Sequence, residues 1–190
     1  MTFEKSLINH MAPTLCGIKP GSLFTMRDNV FISSLAMKWQ KKVKDYDIEL
    51  EFFRLSDHSV MFFAYNKAKI AEIINDRKVM AYLKRKNFPA DGNIRKSVDE
   101  LIHRLKYSGG FPHEVGIFLG YPLADVVLFE KNGGKNCKFC GYWKSYSNID
   151  EAKKLCSTFD SCRCMCKKWL EEGLSVSQIV RKYKTATQVA

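Results

Sequence analysis

"DIELEFFRLSDHSVMFFAY", Asp47 to Tyr65, decides the fold. Ile48, Leu50 and Phe52 alternate with Glu49 and Glu51, the period of a half-buried strand. The polar link Ser56–Ser59 separates this run from Val60–Tyr65, which is rich in β-branched and aromatic residues. Two such runs across a short polar connection predict an antiparallel hairpin near 47–65.

Outward from the hairpin the apolar period lengthens to that of helices. Ile32, Leu35, Ala36, Trp39 and Val43 predict a helix from Asp28 to about Val43. Asn66 can cap a helix carrying Ile70, Ile73, Ile74, Val79, Met80 and Leu83, with a break near Asn75 and Asp76. "DGN" (Asp91–Asn93) opens a helix with Ile94, Val98, Leu101, Ile102 and Leu105 on one face. Pro122 fits the first turn of another, running to about Lys131 and ended by Gly133 and Gly134. "YWKSY" reads as a short strand, Glu151–Leu170 as a long helix, and "SVSQIVRKYK" as a short final helix capped by Ser175. Ala12–Phe24, with two prolines and two glycines, reads as an irregular segment leading into the Asp28 helix. With no repeat or linker, the expectation is one α+β domain over residues 1–190, mostly helical around a small antiparallel sheet.

A chain with 46% hydrophobic and 27% charged residues is too apolar for wholesale disorder. No apolar run approaches the ~20 residues needed to cross a bilayer, and the first residues contain no apolar core of a secretory signal. The expected compartment is the cytoplasm, where thiols stay reduced. Seven cysteines then point to metal, redox chemistry or burial before disulfides. The net charge of +11 raises nucleic acid as a partner. "KWQKKVK", "KRK", "CKKW" and "RKYK" are separate clusters, however, each beside apolar positions of a predicted helix, the pattern of solvated helix faces.

Six of the seven cysteines lie between Cys137 and Cys166. Cys137 and Cys140 form a C-x-x-C in a turn-like setting, which lets two thiolates reach one ion and favours zinc or an iron–sulfur cluster. On the long helix Cys162 and Cys166 are four residues apart and share a face, with Cys164 nearly opposite. A metal site would therefore use Cys137, Cys140, Cys162 and Cys166. The same helix offers a plainer account. Ala152, Leu155, Phe159, Cys162, Cys166, Trp169 and Leu170 make one apolar stripe, in which buried thiols act as small hydrophobes. Redox reactivity is the third reading, and Cys164, beside Arg163, is the thiol expected to react first with a label.

Other chemistry is thinly marked. His113 and Glu114 in "FPHE", with Asp125 beyond, could join a cysteine in a nucleophilic triad, the requirement of a cysteine-dependent enzyme. Adjacent residues of a regular element cannot both face one nucleophile, so helix capping or hydrogen bonding explains them better. His10, His58 and His103 are isolated. Cys16, in "TLCGIKPG", sits in a Gly/Pro loop that could approach a ligand but lacks phosphate-loop spacing.

"APTLCGIKPGSLF", "FPHEVGIFLGYPLADV" and "GYWKSY", followed by a helix and "EEGLSVSQIV", resemble domain of unknown function 3793, a family of mainly anaerobic bacteria. The resemblance covers nearly the whole chain. It implies a small cytoplasmic bacterial protein of no established activity, and a valine where this chain has Ser145. It rests on Gly141, Trp143, Lys144 and Tyr146, not on the cysteines.

Overall fold

The computed structural model describes residues 2–27, 33–55, 58–89 and 91–188. With 60% helix and 15% strand in a three-stranded antiparallel sheet and a two-stranded hairpin, the chain is α+β. Its contacts divide into two compact units, Met1–Asn66 with Ser157–Ala190, and Lys67–Cys156. No helix among the described residues is long and apolar enough to cross a membrane.

The first unit is built on the predicted hairpin. Strands β2 (Ile48–Arg54) and β3 (Ser59–Asn66) pair antiparallel from Ile48↔Asn66 to Arg54↔Val60. Ser56 and Asp57, in the expected connection, lie outside the described residues, as do Asp28 and Ile32 of the helix expected before it. A third strand, β1 (Gly21–Arg27), pairs with the other edge of β3. β3 is therefore central, and Val60 to Asn66 are all buried, as its nearly continuous apolar sequence requires. Phe24, Phe62 and Phe52 stand opposite one another across the three strands. The Phe24 and Phe62 rings stack at 4.9 Å, and Phe3 meets Phe62 edge-on at 5.7 Å.

Phe3 belongs to α1 (Phe3–Leu15), an element the sequence reading missed. Phe3, Leu7, Ile8, Met11 and Leu15 recur at helical spacing and are all buried. Ala12–Leu15, expected to be irregular, is the last turn of this helix, and Gly21–Phe24 belongs to β1. Pro13 lacks an N–H, but its carbonyl accepts from Ile18 and Lys19 and so closes the turn that follows. Cys16 is the C-cap, and Gly17, at φ 78°, takes the left-handed position that ends a helix. The hydroxyls of Thr14 and Ser22, 2.8 Å apart, tie the end of α1 to β1.

α2 (Ser33–Lys42) packs Ala36 and Trp39 inward and continues into a short 3₁₀ turn at Val43–Tyr46. The core is completed by the later turns of α8 (Ile149–Glu171) and by α9 (Val176–Gln188). Ser175 and Gln178 cap α9 reciprocally: the Ser175 amide donates to Gln178 Oε1 at 2.8 Å, and the Gln178 amide to Ser175 Oγ at 3.4 Å. With 13 residues, α9 is longer than the short helix expected.

The second unit is helical. α3 (Lys67–Asn75) and α4 (Arg77–Arg85) are separated at Asp76, whose carboxylate accepts from the amides of Lys78 and Val79, so the expected break is a helix cap. α5 (Ile94–Tyr107) is capped by Asn93. α3 packs on α4, α5 and the single-turn α6 (Val115–Phe118). α7 (Leu123–Lys131) starts after Pro122, as its sequence predicts. β4 (Phe139–Cys140) and β5 (Lys144–Ser145) form a minimal hairpin beside α7.

Candidate metal centre

The first unit brings three cysteines together. Cys162 and Cys166 project from one face of α8, a turn apart, and Cys16 meets them from the C-cap of α1. Their sulfurs all lie within 4.8 Å of one another, with Cys16 Sγ and Cys166 Sγ at 3.7 Å. Cys16 is 6% exposed, Cys162 and Cys166 fully buried, within the main hydrophobic cluster. Among the described residues this is the group whose donor atoms could converge on one ion.

The separations discriminate between guests. Zinc–sulfur bonds of about 2.3 Å put the sulfurs of a tetrahedral or trigonal site about 3.8–4.0 Å apart. The cluster meets that spacing after closing by less than about 1 Å on its longest side. An iron–sulfur cluster interposes several iron and sulfide atoms between its cysteines and needs them much farther apart.

The protons in the cluster are unequally held. Hydrogen bonds from Cys16, then Cys166, draw the Cys162 thiol well below its ordinary range against the opposing effect of burial, with Tyr183 also contributing. Cys16 is pushed up by its hydrogen bonds to Cys162 and Cys166 and by burial. Cys166 is favoured as a thiolate by Cys16, but Cys162 and burial outweigh this and raise it. Burial, then the charge on Cys162, raises the Tyr183 phenol and keeps it a donor. One thiolate is thus accommodated readily; two or three in the same apolar space need a cation.

In the second unit, Asp125 organises the tryptophan motif. Its Oδ2 accepts from Trp143 Nε1 at 2.7 Å and Ser145 Oγ at 2.8 Å. Its Oδ1 accepts from the Tyr146 and Ser147 amides, both at 2.9 Å, and from Ser147 Oγ at 2.8 Å. Glu114 is buried and paired with Arg104, while His113 is exposed and lies edge-on to Phe129. Among the described residues Asp125 is engaged by these five donors and Glu114 by Arg104, and neither is hydrogen-bonded to His113. Glu114 is the N-cap residue of α6, but its side chain makes no cap bond and serves the ion pair instead.

A family model described as "Protein of unknown function (DUF3793)" matches residues 7–180. The chain belongs to that family. Neither curated proteins nor solved structures gave a match. The span matched to DUF3793 contains Cys16, Cys162 and Cys166, together with Asp125 and the whole tryptophan motif. In this DUF3793 protein the four cysteines expected as metal ligands fall in different units. Cys162 and Cys166 join Cys16 in the first, while Cys137, half-buried, precedes β4 of the second and Cys140, exposed, ends it. Cys156 is buried in the second unit and Cys164 is exposed on α8. Cys16 was noticed in the sequence for its loop and not as a ligand. The apolar spacing from Phe3 to Leu15, ended by Gly17, was the signal that could have placed it at a helix end facing the core.

Proposed function

We propose that the protein is a cytoplasmic zinc-binding protein whose ion is held by Cys16, Cys162 and Cys166. The observation that carries this reading is the mutual approach of the three sulfurs to within 4.8 Å in a site of zinc–thiolate dimensions. Soft sulfur donors select zinc or monovalent copper. Charge favours zinc, because three thiolates around a divalent ion leave one buried negative charge instead of two. The Tyr183 hydroxyl, hydrogen-bonded to Cys162, lies where that residual charge would be. A reducing cytoplasm would keep all three thiols available.

Metal analysis of protein purified without chelators tests this. About one zinc per chain is expected, retained in Cys164→Ala and lost in Cys16→Ala and Cys166→Ala. Loss of zinc in the Cys137→Ala/Cys140→Ala double variant would support instead the site of Cys137, Cys140, Cys162 and Cys166. Metal-free protein that takes up no zinc would reduce the cluster to core packing, which the burial of Cys162 and Cys166 alone would also explain.

A further inference from the structure

The second unit contains an open cavity of about 350 Å³, within the range of small-molecule sites. All its lining residues except Phe129 and Cys140 fall within two stretches, Phe111–Val126 and Gly141–Lys144, which belong to the segments by which the chain resembles its family. Tyr121 and Trp143 stack at 5.0 Å, and the Tyr121 hydroxyl donates to the Tyr142 carbonyl at 3.0 Å, which fixes one aromatic wall. Phe129 forms another, and Phe111, on the lining, leaves 57% of its surface exposed. The exposed Phe111 ring thus adds apolar lining that a ligand can cover.

The walls specify the guest. Aromatic faces and edges favour a flat ring system. Lys144 supplies charge: its ammonium donates to the Gly134 carbonyl at 2.8 Å and lies 5.9 Å from the Phe129 ring. That bond uses one of three N–H donors. Among the described residues Lys144 has no carboxylate partner. His113 adds a second nitrogen base to the lining. Asp125 also borders the cavity, but its two oxygens already accept five hydrogen bonds. We infer that this cavity binds a small planar aromatic anion, its ring against Tyr121, Trp143 and Phe129 and its carboxylate towards Lys144.

Three indole compounds provide the test on the full chain: indole-3-acetate, indole and tryptamine, which carry a negative, no and a positive charge. Binding is read from the amide resonances of Trp143 and Lys144 and from protection of Cys140 against alkylation. Indole-3-acetate is expected to bind most tightly and tryptamine least. Lys144→Gln should remove an about three- to fivefold advantage of the acid over indole while leaving indole affinity unchanged. The inference is overturned if no compound perturbs Trp143 and Lys144, if tryptamine binds as well as the acid, or if Lys144→Gln keeps the preference. The wild-type series decides even if the variant fails to fold.

Discussion

Trp143 donates its indole N–H to Asp125 Oδ2 across 2.7 Å, joining the start of α7 to the β4–β5 hairpin. A buried carboxylate with five donors on it is a structural anchor, because each donor would otherwise have to be satisfied elsewhere. Two of the sequence blocks that carry the family resemblance meet at this bond. Ser145 adds a donor of this chain's own, where the resemblance implies valine.

Asp125→Ala should therefore destabilise the protein by at least about 3 kcal/mol, the cost of leaving several buried donors unpaired. Urea unfolding at neutral pH checks this.

Acid should reveal the same carboxylate. Burial alone would push the Asp125 carboxyl up, but bonds from Trp143, Tyr146, Ser147 and Ser145 together hold it below the usual range. A depressed folded value means that its contribution is present above the unfolded value of about 3.9 and lost as pH falls through the folded one. Wild-type stability should drop more steeply below about pH 4 than that of Asp125→Asn; equal slopes would remove the anchor.

Gly141 has no room for a side chain. A Cβ there would stand 2.6 Å from Cys156 Sγ and 2.8 Å from Phe139 Cε1. Gly141→Ala should cost about 1–3 kcal/mol, and adding Cys156→Ala should recover part of it. A denaturant double-mutant cycle measures that coupling.

Zinc removal should lower the melting temperature, since an ion bound only by the folded state stabilises it by mass action. Dialysis against a chelator, followed by zinc readdition, should reverse the shift in the wild type. Cys16→Ala should show no such response in differential scanning fluorimetry.

Thiol alkylation followed by peptide mapping should sort the cysteines by exposure. Cys140 and Cys164 should label first, Cys137 next, and Cys16, Cys156, Cys162 and Cys166 only on unfolding. Prompt native labelling of Cys162 would contradict its burial.

The elements that were legible were those whose own residues carry the signal. Ile48 to Phe52 alternates, Val60 to Tyr65 is a β-rich apolar run, Asp76 and Asn93 are helix caps, and Cys162 and Cys166 repeat at one helical turn. What stayed hidden needed partners remote in sequence. Gly21–Arg27 is short and turn-flanked, and it becomes a strand by pairing with Ser59–Tyr65. Pro13 and Gly17 looked like loop residues because a proline in a last helical turn carries the same local signature as a break. Cys16 could not be matched to Cys162 and Cys166 until α1 was placed. The +11 charge, spread over separate helices, carried no positional information.

The first unit draws on residues 1–66 and 157–190, and Cys16 meets Cys166, which lies 150 positions further along the chain. During synthesis the sheet and α1 must therefore wait, with Cys16 and the apolar face around Phe62 uncovered, while the entire second unit and α8 emerge from the ribosome. Ordering by such distant contacts is slow and leaves a sticky intermediate. This half of the protein should therefore close its core only once α9 has emerged, well after its own sheet has been made.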